Sequence, residues 1–220
     1  MCLISRNDKK LLKGCIVEAT NGVNMYTPDE MGNYRFLWTR DFAYMVENAG
    51  DLLQNEDIKS AIEYLLDGAD KNGWIPDRVT KSGRARYAAG DSTFPGIPNL
   101  DNGCFLVIAA DAFFSKLEET QAVTLFAEWK DKLITGIDCL PTDENGLMVN
   151  DSTPLHSPYG FTDTVAKEGF LCFETLLLWK AKQALVKWLE KINVDTESLQ
   201  KDMEMGVGQN ILCKFFYIYK

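Results

Sequence analysis

A chain of 220 residues, 46% hydrophobic and 25% charged, is long enough for one globular domain with a continuous core. Its net charge of −9 offers no basic surface to nucleic acid, and an acidic surface favours solubility without naming a substrate. No run of about 18 apolar residues suggests a membrane span, no secretory leader is evident, and six scattered cysteines read as free thiols, so a cytoplasmic protein without membrane or nucleic-acid partners is expected.

In chain order, the first strong periodicity covers 36–53. Trp38, Phe42, Met45, Val46, Ala49, Leu52 and Leu53 recur at steps of three and four, the core stripe of a helix. A more polar helix is predicted over 56–69. The segment "NGWIPDRVTKSGRARYAAGDSTFPGIPNL" follows as a loop, then a strongly apolar helix over 103–117 and an amphipathic one over 120–137. A second loop, "DCLPTDENGLMVNDSTPLHSPYG", precedes an apolar helix over 161–185, a mixed helix over 186–192 and a polar helix over 196–205. No strand alternation interrupts the series. Residues 1–205 read as one domain. The apolar "GVGQNILCKFFYIYK" at 206–220 follows no helical stripe and is set apart as an atypical tail.

The architecture repeats although no sequence repeat is apparent. A buried helix, a short turn, a half-exposed helix and a long loop recur three times, as in αα-hairpins. The loops run to about 20–30 residues, beyond the ~12–15 at which loops are usually functional. The hairpins recur at about 60–65 residues, longer than the ~34–47-residue period of solenoids. An all-α fold is therefore expected, with αα-hairpins forming about half of an (α/α)6 toroid. The long loops should gather at the N-termini of the buried helices. Half a ring would leave an apolar side for a second copy or further hairpins to cover.

Each apolar helix opens near an acidic residue: Asp41, Asp101 and Asp163. Acidic residues favour helix N-termini because they satisfy free N–H groups and the dipole. Arg40 beside Asp41 is wrong for the dipole and points to a cleft instead. Trp38, Trp74 and Tyr159 offer flat apolar faces, and Asp77, Arg78, Tyr87, Asp91, Asp101 and Asn102 offer paired donors and acceptors. Stacking faces with such groups suit a sugar ring, although loop packing also accounts for Trp74 and Tyr159. His156, the sole histidine, reads as a loop residue, since no nucleophile elbow accompanies it. Phosphate-loop and metal-ligand spacings are lacking, so no cofactor or metal is expected. What remains is carboxylate chemistry, of which glycoside hydrolysis is the commonest form.

"LWTRDFAYMVENAGDLL" resembles the first catalytic-domain motif of glucoamylases, in which W-T-R-D opens a helix. "GWIPDRV" and "DNGCFLV" resemble the loop and second inner-helix start of the wider six-hairpin glycosidases, which include trehalases and processing α-glucosidases. "SPYGFTDTVAKEG" is similar to their third motif. The resemblance spans about residues 25–182, the first half of such a domain. It implies that Arg40 and Asp41 hold the terminal sugar, with Trp38 beside it. It implies Asp163 as general acid, as in trehalases. Glucoamylases use a glutamate further along, where this chain has Ala166 and Lys167, so Glu168 is the second candidate. The base that activates water lies in a late hairpin of these families and has no equivalent here. The expected function is a glycoside hydrolase-like protein acting on terminal sugars, with α-glucosides inverted by complete relatives. The alternatives are a truncated or degenerate carbohydrate-binding relative and a helical scaffold without a sugar site.

Overall fold

The computed structural model describes residues 6–88, 98–153, 155, 156 and 167–204. Asp91, Tyr159, Asp163 and the tail 206–220 lie outside the described residues. Within them the chain is predominantly helical, with seven α-helices and three small sheets. The helices are α1 (Arg6–Gly14), α2 (Thr39–Ala49), α3 (Asn55–Asp67), α4 (Asn102–Phe114), α5 (Glu119–Asp138), α6 (Cys172–Lys191) and α7 (Glu197–Glu204). The strands are β1 (Ile16–Glu18), β2 (Asn24–Tyr26), β3 (Leu37–Trp38), β4 (Arg78–Val79), β5 (Ala85–Arg86), β6 (Val149–Asn150) and β7 (Gly169–Phe170).

Three expectations are corrected. The strands and α1 were not expected from periodicity, because a two-residue strand has no period to show. The first apolar helix starts at Thr39 rather than at residue 36, because Leu37 and Trp38 pair antiparallel with Val79 and Arg78. Over the described part of the apolar helix predicted for 161–185, residues 167–171 are not helical, and α6 runs unbroken from Cys172 to Lys191, absorbing the separate helix predicted over 186–192. The chain ahead of it is turned out of helix by Gly169, at φ 82°, and by pairing of β7 with β6.

Helix α4 is the centre of the core. Its apolar residues encircle it, so it is buried on nearly every side, as a helix hydrophobic all round must be. Helices α2 and α6 pack beside α4 and run parallel to it. At their starts Arg40 reaches Asp101 at 3.4 Å. Further along, Lys187 and the Trp188 indole meet Asp111 at 2.6 and 2.7 Å, and Lys180 pairs with Glu47. Helix α5 runs the opposite way, and Gly103 near the start of α4 lies against Gly136 near the end of α5. A Cβ on Gly103 would stand 2.1 Å from the Gly136 carbonyl oxygen, so only glycine permits this approach. At the far end Phe113, Phe114, Phe126, Trp129 and Trp188 pack ring against ring, with centroids 5.1–6.3 Å apart.

The three parallel helices therefore present their N-termini at one end, where the long loops begin. Two of those loops share a device that is also written in the sequence, as "DKNGWIPD" at 70–77 and "DENGLMVN" at 143–150. In each, the aspartate Oδ1 accepts from the N–H groups two and four residues on, at 2.8–2.9 Å. Its Oδ2 accepts from the asparagine side chain, at 3.2 Å for Asn72 and 3.0 Å for Asn145. The glycines take φ 94° at Gly73 and 73° at Gly146. Each loop then presents a carbonyl to an inner-helix start: Asp77 O accepts from Thr39 N, and Met148 O from Leu171 N, both at 2.9 Å. The repeat is thus one of sequence as well as architecture.

Candidate functional site

The first loop delivers Asp77 to the start of α2. Asp77 is 1% exposed and collects three partners. Its Oδ2 pairs with Arg78 Nη1 at 2.8 Å, and its Oδ1 lies 2.8 Å from Asn99 Nδ2 and 3.5 Å from Arg40 Nη1. Arg40, 3% exposed, also faces Asp101, which is fully buried. Arg78 further donates to the Ala88 carbonyl at 3.0 Å. Asn102 Nδ2 donates to the carbonyls of Ile75 and Tyr87 at 3.1 and 3.4 Å. Residues separated by 61 positions thus form one buried ionic network that also closes the base of the loop.

Asp101 occupies the N-cap position of α4 but makes no side-chain cap hydrogen bond. Its carboxylate faces Arg40 instead, so capping does not account for it. The aromatic edge of the site is Trp38. The Arg78 guanidinium lies 4.6 Å from its ring centroid, a cation–π contact, and Phe36 and Tyr34 pack against the same ring. Trp38 is half-buried, yet its indole N–H is buried and has no hydrogen-bond partner. Asp41 is also half-buried. Burial raises its pKa and nearby Asp77 adds to the shift, against the pull of Arg40.

Of the residues picked from sequence, Trp38, Arg40, Asp41, Asp77, Arg78, Asp101 and Asn102 come together here. Trp74 stands at the loop's start and stacks on His156, centroids 5.3 Å apart, which joins the two long loops. His156 is the loop residue it was read to be, with its pKa lowered by burial. The Tyr87 hydroxyl donates to the Gly68 carbonyl at 2.8 Å, a packing role. Glu168 is exposed, just ahead of β7, outside the buried network. The third inner helix starts at Cys172, and Asp163, expected at its opening, lies outside the described residues.

Sequence reasoning missed two residues. Asn150, fully buried, holds the base of the second loop: its Nδ2 donates to the carbonyls of His156 and Lys167 at 2.7 and 2.8 Å, and its Oδ1 accepts from His156 N at 3.0 Å. It stands where Asp77 stands in the first loop. Glu174, 2% exposed, lies in the first turn of α6, and its Oε1 is buried without a partner. Burial raises its pKa, while its own backbone N–H and the charge of Lys167 oppose that shift. The available signal was a polar residue on an apolar stripe, since Glu174, Ala181 and Trp188 follow at heptad spacing.

Among the described residues no group of His, Cys, Asp and Glu side chains is arranged to hold a metal ion, and no helix is long and apolar enough to cross a membrane. The cysteines described, Cys15, Cys104, Cys139 and Cys172, are free. Comparison with protein-family models and with curated proteins gives no match.

Proposed function

We propose that this end of the molecule is a carbohydrate site of the six-hairpin glycosidase type, on a helical unit that forms part of an α/α toroid. One observation carries the reading. A buried Arg40–Asp77–Arg78–Asp101 network fixes a half-buried aromatic face, Trp38, and a half-buried carboxylate, Asp41, side by side at the mouth of three parallel helices. A sugar needs a flat apolar surface beside rigid hydrogen-bonding groups. The free Trp38 N–H and the raised Asp41 pKa fit a site whose polar atoms are completed by a ligand hydroxyl. Arg40 is committed to Asp77 and Asp101, so in this reading it fixes the geometry while Asp41 and Trp38 face the sugar.

The ring reading draws on the parallel α2, α4 and α6 and on the exposed Tyr44, Phe173 and Leu176 along α2 and α6. A second copy or further hairpins are the proposed covers. Binding without turnover is the expected behaviour of this chain, because the related families place the water-activating carboxylate in a later hairpin. The test is calorimetric titration with D-glucose and maltose, alongside an assay for glucose release. Binding that falls at least about tenfold in Asp41→Asn, with the melting curve intact, supports the site. Unchanged binding in that variant counts against a sugar site at Asp41, and a folded wild type that binds neither sugar returns the protein to the scaffold reading. Glucose release by the purified chain would overturn the binding-only form of the proposal.

A further inference from the structure

One contact between the two long loops involves a side chain that titrates near neutral pH. The Trp74 and His156 rings stack with centroids 5.3 Å apart and planes 28° from parallel. Each residue is held by its own loop. Asp70 N donates to the Trp74 carbonyl at 3.1 Å, and Asp70 Oδ1 accepts from Trp74 N at 2.9 Å. Asn150 grips His156 in the same two-handed way: Nδ2 donates to the His156 carbonyl at 2.7 Å, and Oδ1 accepts from His156 N at 3.0 Å. The stack is therefore a meeting of two anchored residues. Each loop also fixes a helix start, through Thr39 N and through Leu171 N.

The charge state of His156 decides what the stack is worth. A neutral imidazole lies on an indole without a charge to desolvate. An imidazolium gains attraction from the indole face, but both of its ring nitrogens are donors. His156 Nδ1 is buried and has no hydrogen-bond partner. A charged donor left unsatisfied there costs more than a cation–π contact returns. Burial accordingly lowers the His156 pKa, and the Pro98 carbonyl opposes that shift by less. The charged groups on the surrounding elements are Asp70 and Asp77 in the first loop, Asp101 beyond Pro98, and Asp143, Asp151 and Lys167 in the second. Asp70 and Asp143 accept from their own turns, Asp77 and Asp101 face Arg40, and none of these groups contributes to the shift at His156.

We propose that the Trp74–His156 stack is a pH-sensitive latch between the two long loops, closed while His156 is neutral and released when it takes up a proton. The sign follows from the lowered pKa. The latch contributes its full stability above the ordinary histidine value of 6.5 and loses it as pH falls through the lower folded value. The latch is independent of the carbohydrate reading, since no sugar takes part in it.

Two measurements on the full chain test it. His156 is the sole histidine, so its ring proton signal in a proton NMR titration reports its own ionisation. The folded wild type is expected to give a midpoint below 6.5. The second measurement is a double-mutant cycle of Trp74→Leu and His156→Gln, followed by urea denaturation. Carboxylates that titrate over the same range are present in all four proteins and cancel. At about pH 7.5 the pair is expected to be coupled by about threefold or more in the unfolding equilibrium constant. At about one pH unit below the NMR midpoint the coupling is expected to fall to within about 1.5-fold of none. A midpoint at or above 6.5 overturns the latch, and that reading needs no variant. Coupling that is absent near neutral pH, or that persists or grows in the protonated state, also overturns it.

Discussion

The loop over 70–79 and the loop over 143–150 start alike and end differently. Both open on an aspartate that ties down the next turn, pass through a left-handed glycine and bury a residue seven positions after that aspartate. In the first loop the buried residue is Asp77, held among Arg40, Arg78 and Asn99. In the second it is Asn150, whose partners are backbone groups of its own loop and of Lys167. The backbone device serves placement in both. Among the described residues, the first carries buried ions that fix side chains contributed by distant helices. The difference explains why the candidate site lies at the start of α2 and α4: charge there couples three segments, whereas amides at the second hub close a loop.

Removing the hubs tests that difference most strongly. Asp77→Ala leaves Arg40 and Arg78 without the carboxylate and is expected to cost about 3–5 kcal/mol. Asn150→Ala forfeits neutral hydrogen bonds and is expected to cost about 1–3 kcal/mol. Urea denaturation measures both, and equal losses would erase the distinction between an ionic and a neutral hub. The glycines come next. Gly73→Ala meets a positive φ and a Cβ position 2.6 Å from Thr135 Cγ2, so about 2–4 kcal/mol is expected. At Gly146 the φ of 73° is the cost considered, about 1–2 kcal/mol. A larger loss at Gly146 than at Gly73 would show that the second loop is the more tightly packed.

The acids launched from the two junctions give a pH test. Burial raises both the Asp41 and the Glu174 pKa. Their protonated forms are therefore favoured in the folded state, and the fold binds those protons more tightly than the unfolded chain. Stability from each is greatest below its unfolded pKa, roughly 3.9–4.3, and declines as pH rises through the folded value. Glu174→Gln should flatten that decline in urea midpoints measured from acid to neutral pH, leaving the Asp41 share. Parallel wild-type and variant curves would mean that Glu174 is no more perturbed than a surface carboxylate. The smallest effects sharpen the likeness of the loops. Asp70→Ala and Asp143→Ala should each cost about 1 kcal/mol and agree within about 0.5 kcal/mol, because their hydrogen bonds match.

The sequence by itself determined where most of the helices lie and which of them are buried. Helical periodicity is local, and α4 is apolar on every face, so its central place follows from composition. It also supplied Trp38, Arg40, Asp41, Asp77, Arg78, Asp101 and Asn102 as candidates, since an arginine in a first turn and polar residues beside aromatics are anomalies that need a partner. Only the tertiary structure decided who those partners are. The Arg40–Asp77 and Arg40–Asp101 contacts join segments far apart in the chain, and no pattern of spacing encodes which carboxylate a guanidinium meets. It also decided the helix starts at Thr39 and Cys172, because strands of two residues exist only through the strands they pair with. Glu174 belongs to the same class: its burial arises from the packing of helices against one another, not from the residues that flank it in sequence.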